Sequence, residues 1–135
     1  MNRRVAFYAP MKSPDHPNPS GDRRIARLLL KAFERGGWDA VLASRLRAHQ
    51  RDGNWIGQGY LFDEAVRIKH KLIQEYRENP PAIWFTYHCY YKAPDLLGPP
   101  VSEALDIPYF QIESTRPQKR LDGPWASFAT AAEAA

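Results

Sequence analysis

The chain has 135 residues, 44% hydrophobic and 25% charged, which suits one ordinary globular domain and argues against a disordered chain. Net charge is +4, carried unevenly: residues 1–60 hold 11 basic and 5 acidic side chains, residues 61–135 hold 8 and 10. Such a basic half suits an anionic partner, whether phosphate groups, an acidic membrane surface or nucleic acid, and equally suits a solvated helix face. The single cysteine, Cys89, excludes an intrachain disulfide and a multi-cysteine zinc site. No apolar run reaches the ~18–20 residues of a membrane span, and the N-terminus lacks a signal-like apolar stretch, so a cytoplasmic chain is expected.

Residues 5–9, Val-Ala-Phe-Tyr-Ala, read as a buried first strand stopped by Pro10. A proline-rich turn follows. Ile25, Leu28, Leu29, Ala32 and Phe33 then recur at helical spacing among Arg23, Arg24, Arg27, Lys31 and Arg35, predicting an amphipathic helix ended by Gly36-Gly37. Residues 38–43 predict a second strand, and 45–59, with three glycines, a loop. Leu61, Phe62, Ala65, Ile68, Leu72, Ile73 and Tyr76 mark a second helix running to Asn79, where Pro80-Pro81 stops it. Residues 82–87 predict a third strand, 95–105 a broken helix with Pro100 in a first turn, 107–112 a fourth strand, and 125–135 an alanine-rich helix. That last helix has no stop signal before Ala135, so the domain is expected to be interrupted there. Strands alternating with helices predict an α/β fold: a Rossmann-like open parallel sheet with helices on both faces, occupying residues 1–135 as one domain.

Ligands of open α/β sheets bind beyond the carboxyl ends of the strands, which selects residues 10–24, 88–95 and 113–123. In the first segment Ser20 is a candidate N-cap and Gly21 allows close backbone approach, so the helix start can face a phosphate or sugar hydroxyls, with Arg23 and Arg24 adding charge; a plain capped helix start is the alternative. Gly21 stands alone where a dinucleotide fingerprint needs three glycines, so NAD is disfavoured and no cofactor is expected. In the second, His88 ends an apolar strand and opens a polar, aromatic turn that includes Lys92. A strand-end imidazole can donate to a sugar hydroxyl or polarise a leaving group; a half-buried histidine satisfied by a carbonyl is the alternative. In the third, Glu113, beside Ser114 and Thr115, can accept from substrate hydroxyls or pair with Arg116 or Lys119. Cys89 reads as a small buried residue, and His16, His49 and His70 lack metal-ligand spacing, so no metal is expected. Tyr90 or Tyr91 can offer a sugar-stacking surface. Nucleic acid is disfavoured because no RNA-binding signature accompanies the aromatics.

Three stretches together resemble a known family: 7–17 with Pro19-Ser20-Gly21-Asp22-Arg23-Arg24, then Trp84-Phe85-Thr86-Tyr87-His88 with Lys92-Ala93-Pro94-Asp95, and Ile107-Pro108-Tyr109. They are similar to the start of bacterial family-four glycosyltransferases of the GT-B fold. The resemblance implies two Rossmann-like domains facing across a cleft, this chain being the N-terminal, acceptor-side one and the donor-binding C-terminal domain lying outside it. It implies a retaining, metal-independent hexosyltransferase acting on a nucleotide-sugar donor and a carbohydrate or lipid-linked acceptor. His88 would contact the transferred sugar as the catalytic group, while Ser20, Gly21, Asp22, Arg23, Lys92, Glu113 and Ser114 would bind substrate. Two departures stand out. The paired-glutamate motif of the C-terminal domain is absent, so the chain alone is expected to be inactive, and the paired glycines of the first loop are reduced to Gly21. The basic half leaves room for peripheral contact with the inner face of the plasma membrane. The competing reading is a non-enzymatic α/β ligand-binding or interaction module.

Overall fold

The computed structural model describes residues 1–114 and 120–134. Four strands, β1 (Arg4–Tyr8), β2 (Asp39–Leu42), β3 (Ile83–Cys89) and β4 (Tyr109–Ser114), form one parallel sheet in the order β2-β1-β3-β4. Between them run α1 (Gly21–Arg35), α2 (Trp55–Tyr76) and α3 (Gly98–Leu105), and α4 (Ala126–Ala134) follows β4. The chain is thus α/β with an all-parallel, Rossmann-like open sheet.

Side chains alternate along a strand, so an unbroken apolar strand feeds two cores at once. Along β1, Ala6 and Tyr8 pack with Trp84, Ala65, Leu72, Leu97 and Val101, on the face covered by α2 and α3. Phe7 and Ala9 pack with Ala26, Phe33, Phe85 and Tyr87, on the face covered by α1. Aromatic geometry differs between the two. Phe7 stacks on Phe85 at 5.9 Å and Phe33 meets Phe85 edge-on at 5.0 Å, whereas Tyr8 meets Trp84 edge-on at 6.2 Å. Trp84, Phe7 and Tyr8 are fully buried, and truncating an aromatic side chain in such a position costs about 3–5 kcal/mol.

Several boundaries differ from the expectation. Helix α2 starts at Trp55, inside the expected loop, because Asn54 caps it by accepting from the Ile56 and Gly57 N–H groups at 2.9 and 3.2 Å. Gly57 and Gly59 therefore lie inside a helix. The side chain of Gln50 fills the space beside Gly57 that a Cβ would need. The helix closes at Tyr76 rather than Asn79. Strands β3 and β4 each run two residues beyond the expected ends, and the broken helix reduces to α3 alone, led by Pro99 and Pro100 in its first turn.

A buried polar cluster locks α3 to the sheet. Asp95, 3% exposed, accepts from the Leu97 and Gly98 N–H groups through Oδ1 and from the Thr86 and Tyr109 hydroxyls through Oδ2. Trp84 Nε1 in turn donates to Thr86 Oγ1 at 2.8 Å. Burial pushes the Asp95 carboxyl above its usual range, and these four hydrogen bonds oppose the shift. Helix α4 is tied to α2 by Gln58, whose amide donates to Pro124 O and whose carbonyl accepts from the Ser127 hydroxyl, both at 2.7 Å. No helix among the described residues is long and apolar enough to cross a membrane.

Candidate functional site in the crevice between the first and third strands

From β1 the chain moves to β2 on one side, and β3 then pairs on the other. The direction reverses between β1 and β3, which opens a crevice at their carboxyl ends, where ligands of such sheets bind. Residues 9–20, 43–54 and 88–97 surround it.

Ser20 caps α1, its Oγ accepting from the Arg23 N–H at 3.2 Å. This fixes the first turn and holds Asp22 toward the end of β3. There Asp22 Oδ1 lies 2.9 Å from His88 Nδ1 and accepts from the Tyr87 hydroxyl at 3.3 Å. A carboxylate only accepts, so the proton of this hydrogen bond sits on Nδ1, and in the neutral ring Nε2 is then the acceptor. The His88 ring stacks on Tyr90 at 5.2 Å, and the Tyr90 hydroxyl reaches Met11 Sδ at 3.7 Å. His88 is therefore satisfied by a carboxylate from another element, not by a backbone carbonyl. The Tyr87 hydroxyl is pushed up to about 12, by burial first and then by the negative charge of Asp22.

His88 and Glu113 occupy the same level of the β3–β4 pairing, between the Tyr87–Ile112 and Cys89–Ser114 partners. Both have left-handed backbones, with φ of 65° and 56°. Each costs roughly 1–2 kcal/mol in a residue with a Cβ. Two adjacent strained positions at the carboxyl edge of a sheet are the kind of outlier that clusters at functional sites.

The loop 43–54 contributes residues that the sequence reading did not single out. It lies across the strand ends: Tyr8 donates to Leu46 O, Ala48 N to Pro10 O, Arg47 Nε to Met11 O and Gln50 N to Lys92 O, all between 2.8 and 3.0 Å. Arg47, Arg51 and Lys92 are thereby gathered around His49, whose imidazole is pushed below its usual value by burial and then by those three cations. A dense basic run, Arg45, Arg47, His49 and Arg51, was the available signal in the sequence.

Gly21 opens α1 with no atom within 4 Å of where a Cβ would stand. Arg23 leaves its Nε buried without a hydrogen-bond partner among the described residues. The Lys92 ammonium lies over the rings of Tyr91 and Trp125, at 5.9 and 5.5 Å. Ser114 donates to Gln111 on the exposed end of β4. The pairing expected of Glu113 with Arg116 or Lys119, and Thr115 with it, lies outside the described residues. Cys89 is buried, and burial pushes its thiol up to about 12, so it offers no thiolate near neutral pH. Among the described residues, no three His, Cys, Asp or Glu side chains gather as a metal ion requires.

The arrangement can present an oriented imidazole to a bound molecule, with aromatic faces beside it and cations nearby. No protein-family model, curated protein or solved structure matches the chain.

Proposed function

We propose that the chain is the acceptor-side, N-terminal domain of a sugar-nucleotide-dependent glycosyltransferase, inactive without a second, donor-binding domain. It would serve transfer of a sugar from a nucleotide-sugar donor to a carbohydrate or lipid-linked acceptor in the cytoplasm, with the membrane's inner face as a peripheral contact. The observation that carries the reading is the Asp22–His88 pair in the crevice at the reversal of strand order. An imidazole held through Nδ1 keeps Nε2 for a sugar hydroxyl, and once protonated it donates to a departing phosphate oxygen. Tyr90, stacked on that ring, suits the apolar face of a sugar. Arg47, Arg51 and Lys92, gathered around His49, supply positive charge for phosphate or an anionic acceptor. The motif words shared with family-four glycosyltransferases support the same reading.

The test is transfer by the complete gene product against a panel of nucleotide sugars, with and without His88→Ala. A transition-state contact predicts kcat/KM reduced by at least about 100-fold, with an unchanged thermal melt. Transfer at the wild-type rate in the variant would remove His88 from the chemistry. Absence of transfer with every donor would favour a binding module.

A further inference from the structure

On the outer flank of α1, a groove of about 680 Å³ is lined by Pro19, Ser20, Arg23, Arg24, Arg27 and Lys31 together with Gly21 and Leu28. Its volume lies in the ~300–1,000 Å³ range of small-molecule sites. It shares Pro19 and Ser20 with the rim of the His88 crevice, and the rest of its lining runs along α1. At 100° per residue, Arg24, Arg27 and Lys31 share one stripe of the helix, while Asp22 points to the other side, toward His88 and Tyr87.

Four cations meet in this groove, and among the described residues no carboxylate forms an ion pair with any of them. The Pro14 carbonyl, accepting from Arg27 Nε at 2.6 Å, fixes that side chain against the first loop. The buried Arg23 Nε has no acceptor among the described residues. A buried guanidinium N–H without a partner is costly, and four gathered like charges repel. Asp22 is turned to His88, and Glu34 and Asp39 line an adjoining hollow toward the far end of the helix together with Arg27 and Lys31, without an ion pair to either. A bound anion would offset both costs. The helix N-terminus capped by Ser20 opens onto the same groove and adds its positive end.

We propose that this groove is a second site, taking a phosphate-bearing ligand, with Arg24, Arg27 and Lys31 holding the phosphate oxygens and Arg23 donating from the inner wall. Leu28, 56% exposed, and Pro19 give the ligand's carbon skeleton an apolar bed.

Two probes distinguish the sources of that phosphate: inorganic pyrophosphate followed by amide chemical shifts, and sedimentation with vesicles of phosphatidylglycerol against vesicles of phosphatidylcholine. Shifts confined to residues 19–31 on adding pyrophosphate support a soluble phosphate ligand. Pelleting with phosphatidylglycerol alone, without pyrophosphate shifts, supports a lipid headgroup. In either case Arg24→Glu with Lys31→Glu, both at exposed positions, weakens binding by about tenfold or more, while His88→Ala leaves it unchanged. Failure of both probes at low salt overturns the site. So does binding that the charge-reversed variant retains while its thermal melt matches the wild type.

Discussion

Tyr87 and His88 are consecutive in β3, yet both side chains meet the same carboxylate, Asp22. A regular strand sends neighbours to opposite faces, so alternation alone would put His88 with Trp84 and Thr86 on the α2 and α3 side. The left-handed backbone at His88, φ 65°, turns the ring back toward α1. Local strain thus supplies the geometry of the pair. With Asp22→Ala the imidazole loses its fixed partner, and its Nε2–H tautomer, favoured in water, becomes the main form. Long-range proton–nitrogen correlation spectra read this directly. An unchanged tautomer would show that the carboxylate does not orient the ring.

Glu113 stores comparable strain without a core contact to offset it. Glu113→Gly, which removes the Cβ at φ 56°, is expected to raise unfolding stability by about 1 kcal/mol. Urea denaturation checks this, with a higher midpoint at constant slope. A lower midpoint would mean that the glutamate side chain contributes more than its backbone costs.

Gly98 has no room for a methyl group. A Cβ there would stand 2.5 Å from Tyr109 Cε2 and 2.6 Å from Trp84 Nε1, and closer still to the Asp95 carboxylate. All three groups are pinned by the same hydrogen-bond cluster, so none can yield cheaply. Gly98→Ala is expected to destabilise the fold by about 3 kcal/mol, read as a fall in the urea midpoint. Gly21→Ala, at an open position in α1, serves as the tolerated control.

Asp95 gives a pH signature with a definite sign. Its folded carboxyl is raised above the usual carboxylate value, chiefly by burial. Its contribution is therefore fully present below about pH 4 and is lost as pH rises through the folded value. Asp95→Asn removes that dependence. Subtracting the variant's melting temperature from the wild type's across pH 3–7 should give a difference that falls as pH rises. Asp15 acts in the opposite sense, since the Ser13 hydroxyl and then Arg45 hold its carboxyl low, but it is present in both proteins and cancels. A flat or rising difference would mean that the four hydrogen bonds outweigh burial.

Much of the architecture follows from periodicity and end signals. The apolar run after Arg4 is a strand buried on both faces, Ser20 is a cap, and helix α1 ends at Arg35 before its glycine pair. Where the local signal misleads, a long-range contact explains it. Gly57 and Gly59 suggest a loop, but α2 runs through them because Asn54 caps it and its apolar face packs on the sheet. In place of the expected first helical piece from Asp95, that side chain accepts from the Leu97 and Gly98 N–H groups ahead of α3, and its other partners, Thr86 and Tyr109, lie on two strands.

The sequence by itself determined which residues stand at strand ends: His88 after an apolar strand, Gly21 and Asp22 at a helix start, Glu113 near the end of the fourth strand. Periodicity is local, so it carries that much. Only the tertiary structure decided which of them meet. It joined Asp22 to His88, sent Lys92 to Tyr91 and Trp125, and set Arg23 beside an open groove. It also brought the 43–54 loop over the crevice. The physical reason is that strand order, which sets what lies beside what, comes from pairing between segments far apart in the chain, and no repeat within one segment encodes it.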